Sequence, residues 1–136
     1  MSCNDKNHKS LLFALREYVG DSAEIIYAQG SNIYYDETTQ RNAEGLRPIK
    51  RGDNISLHSE ALEAAAQADI IIAAMGECAD MSGESASRAE LTIPDAQRDL
   101  LRDLAATGKP IVLLLFTGRP LVLDWESDNI PAILNV

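Results

Sequence analysis

A continuous apolar run, Ile70 to Met75, breaks at Gly76 into a loop crowded with Glu, Asp, Ser and Arg, and no other feature constrains the chain so tightly. An unbroken, partly β-branched run of this length reads as a strand covered on both faces, the pattern of a parallel sheet. Before it, Ser56 to Ala68 sets Leu57, Ala61, Leu62 and Ala65 at helical spacing, and its alanines allow close approach to a sheet. After the loop, Thr92 is the expected cap of another helix, with Pro94 in its first turn and Asp95 at the positive end of its dipole. Ala96, Leu100, Leu101 and Leu104 form that helix's buried stripe, and Gly108 ends it. Ile111 to Phe116 is the most apolar strand of the chain. The turn at Thr117 to Pro120 follows, then an extended or short helical stretch over Leu121 to Trp125. A last strand is expected over Pro131 to Val136. Strands alternating with helices predict an α/β fold, a three-layer α/β/α sandwich with a mostly parallel sheet and right-handed crossovers. Because the last strand runs to the final residue, 1–136 is expected to be one partial domain, truncated at its C-terminus.

Upstream, Leu11, Leu12, Leu15, Tyr18 and Val19 give a short amphipathic helix over Lys9 to Val19, with Gly20 at its C-cap. Glu24 to Gln29 reads as a short strand closed by Gly30. From Ser31 to Asn54 the periodicity is lost. A patternless connection of that length is a functional or a mobile excursion, and Tyr34 and Tyr35 are its candidates for packing.

The net charge of −9 excludes two classes of partner. Nucleic acid binding needs a basic surface that releases counterions, and anionic membranes attract the same sign of charge. Neutral substrates such as sugars stay open. Cys3 and Cys78 have neither metal spacing nor a disulfide framework, and no run approaches the roughly 18 apolar residues of a membrane span. The opening MSCNDKNHKS lacks the apolar segment of a signal peptide.

Chemistry is sought where α/β sheets place it, outside the carboxyl ends of the strands. The turn after Met75 holds only Gly76 and Gly83, so it has neither G-x-G-x-x-G nor a P-loop, and Asp95 would repel a phosphate at the following helix. Ser82, Ser85 and Ser87 have no nucleophile elbow around them, and His8 and His58 lie far away as expected surface residues. No paired histidines support a metal, and no cofactor is expected. What remains is carboxylate chemistry: Glu77, Asp80, Glu84 and Glu90 crowd the loop around one cation, Arg88. Like charges raise one another's pKa and Arg lowers it, so such a loop can hold a proton donor near neutral pH. A solvated acidic loop tied by an Arg salt bridge is the alternative.

The motifs Gly76-Glu77, Ser87-Arg88, Leu91 to Pro94, Thr107 to Val112 and Gly118 to Leu121, followed by IPAILNV, closely resemble the C-terminal domain of glycoside hydrolase family 3. That family includes β-glucosidases, β-xylosidases and related exo-acting enzymes. The match is dense over about half the chain and loose over the rest, and the motifs are specific only in combination. The resemblance implies a two-step retaining hydrolysis, with an Asp nucleophile from a preceding (β/α)₈-type barrel and a Glu acid/base from this domain. The matching position is Glu84 in Ser82-Gly83-Glu84. Glu77 is the second candidate, suited to shaping the loop or touching the sugar, and Arg88 is expected to anchor the loop through Glu77 or Glu90.

Retaining glycosidases need two carboxyl groups about 5–5.5 Å apart. Gly83 gives the loop freedom to lay Glu84 over a cleft shared with another domain. The implied partners are a carbohydrate, a β-glucoside or oligosaccharide, and the N-terminal barrel of the same full-length chain; a homodimer through an open sheet edge is a further possibility. The implied compartment of the full-length protein is periplasmic or secreted. The chain also departs from the family. No barrel supplies a nucleophile, so the isolated chain is expected to be inactive. The Trp- and Gly-containing segment after the A-I-L strand is missing, and Glu90 stands where Asp is more usual. Two rival functions are a non-catalytic carbohydrate-contacting or lid module and a standalone α/β protein without glycosidase activity.

Overall fold

The computed structural model describes residues 9–33, 53–78, 81–82 and 86–136. Helix α1 (Leu11–Val19) is capped by Ser10, whose hydroxyl accepts from Phe13 N–H, and it closes in a 3₁₀ turn over Gly20–Ser22. Helix α2 (Asn54–Gln67) is capped by Asp53, which accepts at 2.9 Å from Ser56 N–H. That bond holds the Asp53 carboxyl below the usual carboxylate range. Strand β1 (Ile71–Gly76), helix α3 (Asp95–Ala106), strand β2 (Ile111–Phe116), helix α4 (Asp124–Asn129) and strand β3 (Ala132–Asn135) complete the order. The strands form one parallel sheet ordered β1-β2-β3, with Gly76 opposite Phe116 and Leu113 opposite both Ala73 and Ile133. The α/β class and the parallel sheet agree with the sequence reading.

Burial follows the two-residue period of the strands. Ala73, Met75, Ile111, Leu113 and Leu115 face Ala61 and Ala65 of α2 and Leu100, Leu101 and Leu104 of α3 in one core, with Ile93 and Ile130 completing it. The opposite face carries the rows Ile72–Val112–Ala132 and Ala74–Leu114–Leu134, and there Ile72 is 45% and Leu134 58% exposed. The strand expected to be covered on both faces is therefore covered on one among the described residues. The reason is that α2 and α3 both lie against the same side.

Three local expectations are corrected. Glu24 to Gln29 forms no strand; instead Ala28 packs on the core, and Gly30 sits so close to Leu100 that a Cβ there would meet its methyl at 2.6 Å. The segment is held by apolar docking rather than by a ladder. Helix α3 begins at Asp95, not Thr92, with Pro94 as N-cap and no side-chain cap. Proline biases the residue before it away from the helical region, which keeps Ile93 out of the helix. His58 is partly buried rather than on the surface, with Nε2 3.2 Å from Asp103 Oδ2 across α2 and α3. Of the excursion after Ser31, residues 34–52 lie outside the described residues, Tyr34 and Tyr35 among them. Its flanks meet, since Asn54 Oδ1 accepts from Asn32 N–H at 2.8 Å.

Candidate functional site

The C-terminal ends of β1 and β2 lie side by side, and the residue that follows each strand carries the polar chemistry. Glu77 N–H donates to Phe116 O at 2.9 Å, extending the ladder one residue past β1. Its side chain turns into the protein and is 0% exposed. Arg88 Nη1 bonds Glu77 Oε1 at 2.7 Å and also donates to Thr92 O at 3.1 Å. Thr117 Oγ1 donates to Glu77 Oε2 at 3.0 Å, and Arg119 Nε reaches the same oxygen at 3.3 Å. Among the described residues, Arg119 Nη2 is buried with no hydrogen-bond partner.

These contacts decide the charge of Glu77. Burial alone would push its carboxyl up, but the hydrogen bonds from Arg88 and Thr117 and the charges of Arg119 and Arg88 outweigh it. The net shift is downward, so Glu77 is ionised at neutral pH. A carboxylate with both oxygens engaged, two guanidinium partners and no solvent contact is a cross-link between the acidic loop and the turn after β2.

The loop is pinned at further points. Met81 is buried and its N–H bonds Cys78 O at 3.0 Å, while a Cβ on Gly118 would collide with the Ser82 hydroxyl. On the far side, Val122 N–H donates to Leu91 O at 2.6 Å. Residues 77–78, 81–82, 86–92 and 117–122 thus meet at the strand ends.

Of the residues singled out from sequence, Glu77 and Arg88 are brought together here, and Glu90 is exposed. Glu84 and Asp80 lie outside the described residues. Thr117, Arg119 and Gln97 were missed as site residues. Thr117 and Arg119 belong to a T-G-R-P stretch that reads as a turn, and only the register Gly76↔Phe116 carries them to Glu77. Gln97 had a legible signal: it is a polar side chain on the apolar stripe of α3, and it is buried. Among the described residues no group of three or more His, Cys, Asp or Glu could hold a metal ion, and no helix is long and apolar enough to cross a membrane.

Comparison with known proteins identifies relatives of the chain. The chain is 41% identical over 129 residues to the periplasmic beta-glucosidase of Salmonella typhimurium, covering 92% of this chain and 17% of that protein. It is 31% identical over 125 residues to a beta-xylosidase of Formosa agariphila, covering 92% of this chain and 15% of that protein. Among solved structures, a GH3 beta-glucosidase of Bifidobacterium adolescentis superposes with a TM-score of 0.68 at 26% identity, over 92% of this chain and 16% of that one. The chain thus spans about a sixth of the length of these relatives. Residues 2–136 match the model described as the glycosyl hydrolase family 3 C-terminal domain, and the chain belongs to that family.

Proposed function

We propose that this domain supplies the acid/base loop of a retaining, exo-acting β-glycosidase, working on β-glucosides or oligosaccharides at a site shared with an N-terminal barrel of the full-length enzyme. Glu84 is the acid/base. The observation that carries the assignment is the state of its competitor. Glu77, the other candidate carboxylate, is sealed from solvent and held ionised by Arg88, Thr117 and Arg119. A general acid must carry a proton at working pH and reach the leaving-group oxygen, and Glu77 is arranged for neither. It serves instead as the cross-link from which the acidic loop is hung, with Arg88 as its anchor.

In this reading the barrel's Asp attacks the anomeric carbon while Glu84 protonates the departing oxygen. Glu84 then takes a proton from the water that releases the sugar. The domain's own part is electrostatic and geometric: the clamp withdraws Glu77 from proton transfer, and Glu84 takes that role. The names of the relatives support a β-glucoside or β-xyloside substrate, and the periplasmic relative supports an extracytoplasmic compartment.

The test is the pH dependence of kcat in the full-length enzyme. An acid that must be protonated sets the alkaline limb of the profile. Glu84→Gln is expected to abolish that limb and lower kcat with little change in KM. A preserved limb with KM raised instead would favour a lid that only contacts carbohydrate.

A further inference from the structure

Helix α3 buries Gln97 on the same stripe as Leu100, Leu101 and Leu104. Its amide meets both backbone groups of one residue: Oε1 accepts from Gly76 N–H at 2.7 Å, and Nε2 donates to Gly76 O at 2.9 Å. Peptide directions alternate along a strand. Glu77 N–H points to β2, so the groups of Gly76 point the other way, to the edge of the sheet where β1 has no neighbouring strand among the described residues. For one residue, the Gln97 side chain stands where that strand would be.

The position is unusually sensitive. Gly76 has φ +146°, and a Cβ there would collide with the Phe116 carbonyl. The backbone therefore runs hard against β2 at a glycine, the residue type with the greatest conformational freedom. The next residue is Glu77, whose carboxylate is aimed at three donors in two other segments. A small rotation of the Gly76 peptide units would swing that carboxylate away from all three.

We propose that Gln97 is a positioning residue for the active site: its amide fixes both peptide groups of Gly76, and so sets the direction in which Glu77 binds Arg88, Thr117 and Arg119 and the acidic loop leaves the sheet. The inference rests on the acid/base reading of that loop. A glutamine is the suitable side chain, since it offers one donor and one acceptor on a planar group and brings no charge beside Glu77.

The test uses the full-length enzyme and two substrates: an alkyl β-glucoside, whose leaving group needs a proton, and a dinitrophenyl β-glucoside, whose leaving group does not. Gln97→Met keeps length and loses both bonds. A displacement of about 1 Å can cost about 10²-fold, so kcat/KM on the alkyl substrate is expected to fall about 10- to 100-fold, with a much smaller loss of kcat/KM on the dinitrophenyl substrate, whose first step needs no proton. Gln97→Glu adds a signature in pH. A protonated carboxyl reproduces the donor and acceptor of the amide, whereas an ionised one still accepts from Gly76 N–H but sets its second oxygen, an acceptor, against the Gly76 carbonyl. Burial and that carbonyl raise the pKa of the introduced group, so the ratio of variant to wild-type activity should rise as pH falls.

Equal losses on both substrates at every pH, accompanied by a lower melting temperature, would reduce Gln97 to a stability residue and overturn the proposal. So would wild-type kinetics, or a Gln97→Glu protein that folds at no pH. Glu84→Ala is measured in parallel. Normal turnover of the alkyl substrate by that variant would sink the acid/base assignment alone, with Gln97 still judged by its own leaving-group split and its recovery in acid.

Discussion

Two regions of this small domain are built in opposite ways. At the C-terminal ends of β1 and β2, polar groups are buried and cross-linked: Glu77 to two arginines and a threonine, and Gly76 to Gln97. Across the open face of the same sheet, apolar groups lie exposed, with Ile72 and Leu134 the clearest. Burying polar groups is worthwhile only when each has a partner, and exposing apolar rows is tolerable only when something else covers them. The lesson is that the strand ends are fixed by partners among the described residues, whereas the open face has no such cover among them.

That contrast can be broken at either end, and the largest effect is expected at Gly76. Gly76→Ala drives a methyl into the Phe116 carbonyl at a backbone angle that only glycine adopts easily. A loss of about 4 kcal/mol or more is expected by urea denaturation; a mild effect would mean that the strand ends can move apart. Glu77→Ala leaves two guanidinium groups without their anion, and removal of one partner of a buried ion pair costs about 3–5 kcal/mol.

The same residue sets a pH dependence. Because the Glu77 carboxyl is held below its ordinary range, its contribution is complete above the unfolded pKa of about 4.3 and is lost as pH falls through the lower folded value. Glu77→Gln should remove this component from the acid-unfolding curve. A variant curve parallel to wild type below pH ~4 would show that Glu77 is not held ionised.

Smaller effects compare the two faces of the sheet. Leu113 is fully buried, and Leu113→Ala should cost about 2–5 kcal/mol. Leu134→Ser, on the exposed face, should stay within about 0.5 kcal/mol in the 136-residue chain. Measuring Leu134→Ser in the full-length enzyme sharpens the comparison: a cost of about 2 kcal/mol there would mean that another segment covers this face. Self-association of the isolated chain, read by sedimentation and weakened by Leu134→Ser, would point instead to a second copy.

Much of this was legible in the residues because local and global signals agreed. The alanine-rich α2 and the stripe of α3 bury the faces that their period predicts, and the two apolar runs form the strands 71–76 and 111–116, although among the described residues these are covered on one face rather than two. The failures share a cause, in that pairing partners are not written locally. Glu24 to Gln29 has strand composition but no ladder, and Thr92 has the chemistry of a cap that Pro94 pre-empts. The candidate site divides in the same way. Glu77 and Arg88 stand in one loop and could be linked from sequence. Thr117 and Arg119 join them only through the parallel register, and Gln97 only through the docking of α3 on the edge of β1.

The division of labour between the two carboxylates is tested most directly by azide rescue in the full-length enzyme. Glu84→Ala is assayed on an activated aryl β-glucoside and on one with a poor leaving group, with and without azide. Expected is a large loss on the poor leaving group, with turnover of the activated substrate partly restored by azide and a β-glycosyl azide formed as product. Near wild-type turnover on both substrates, indifferent to azide, would contradict the assignment and leave the acidic loop a structural element.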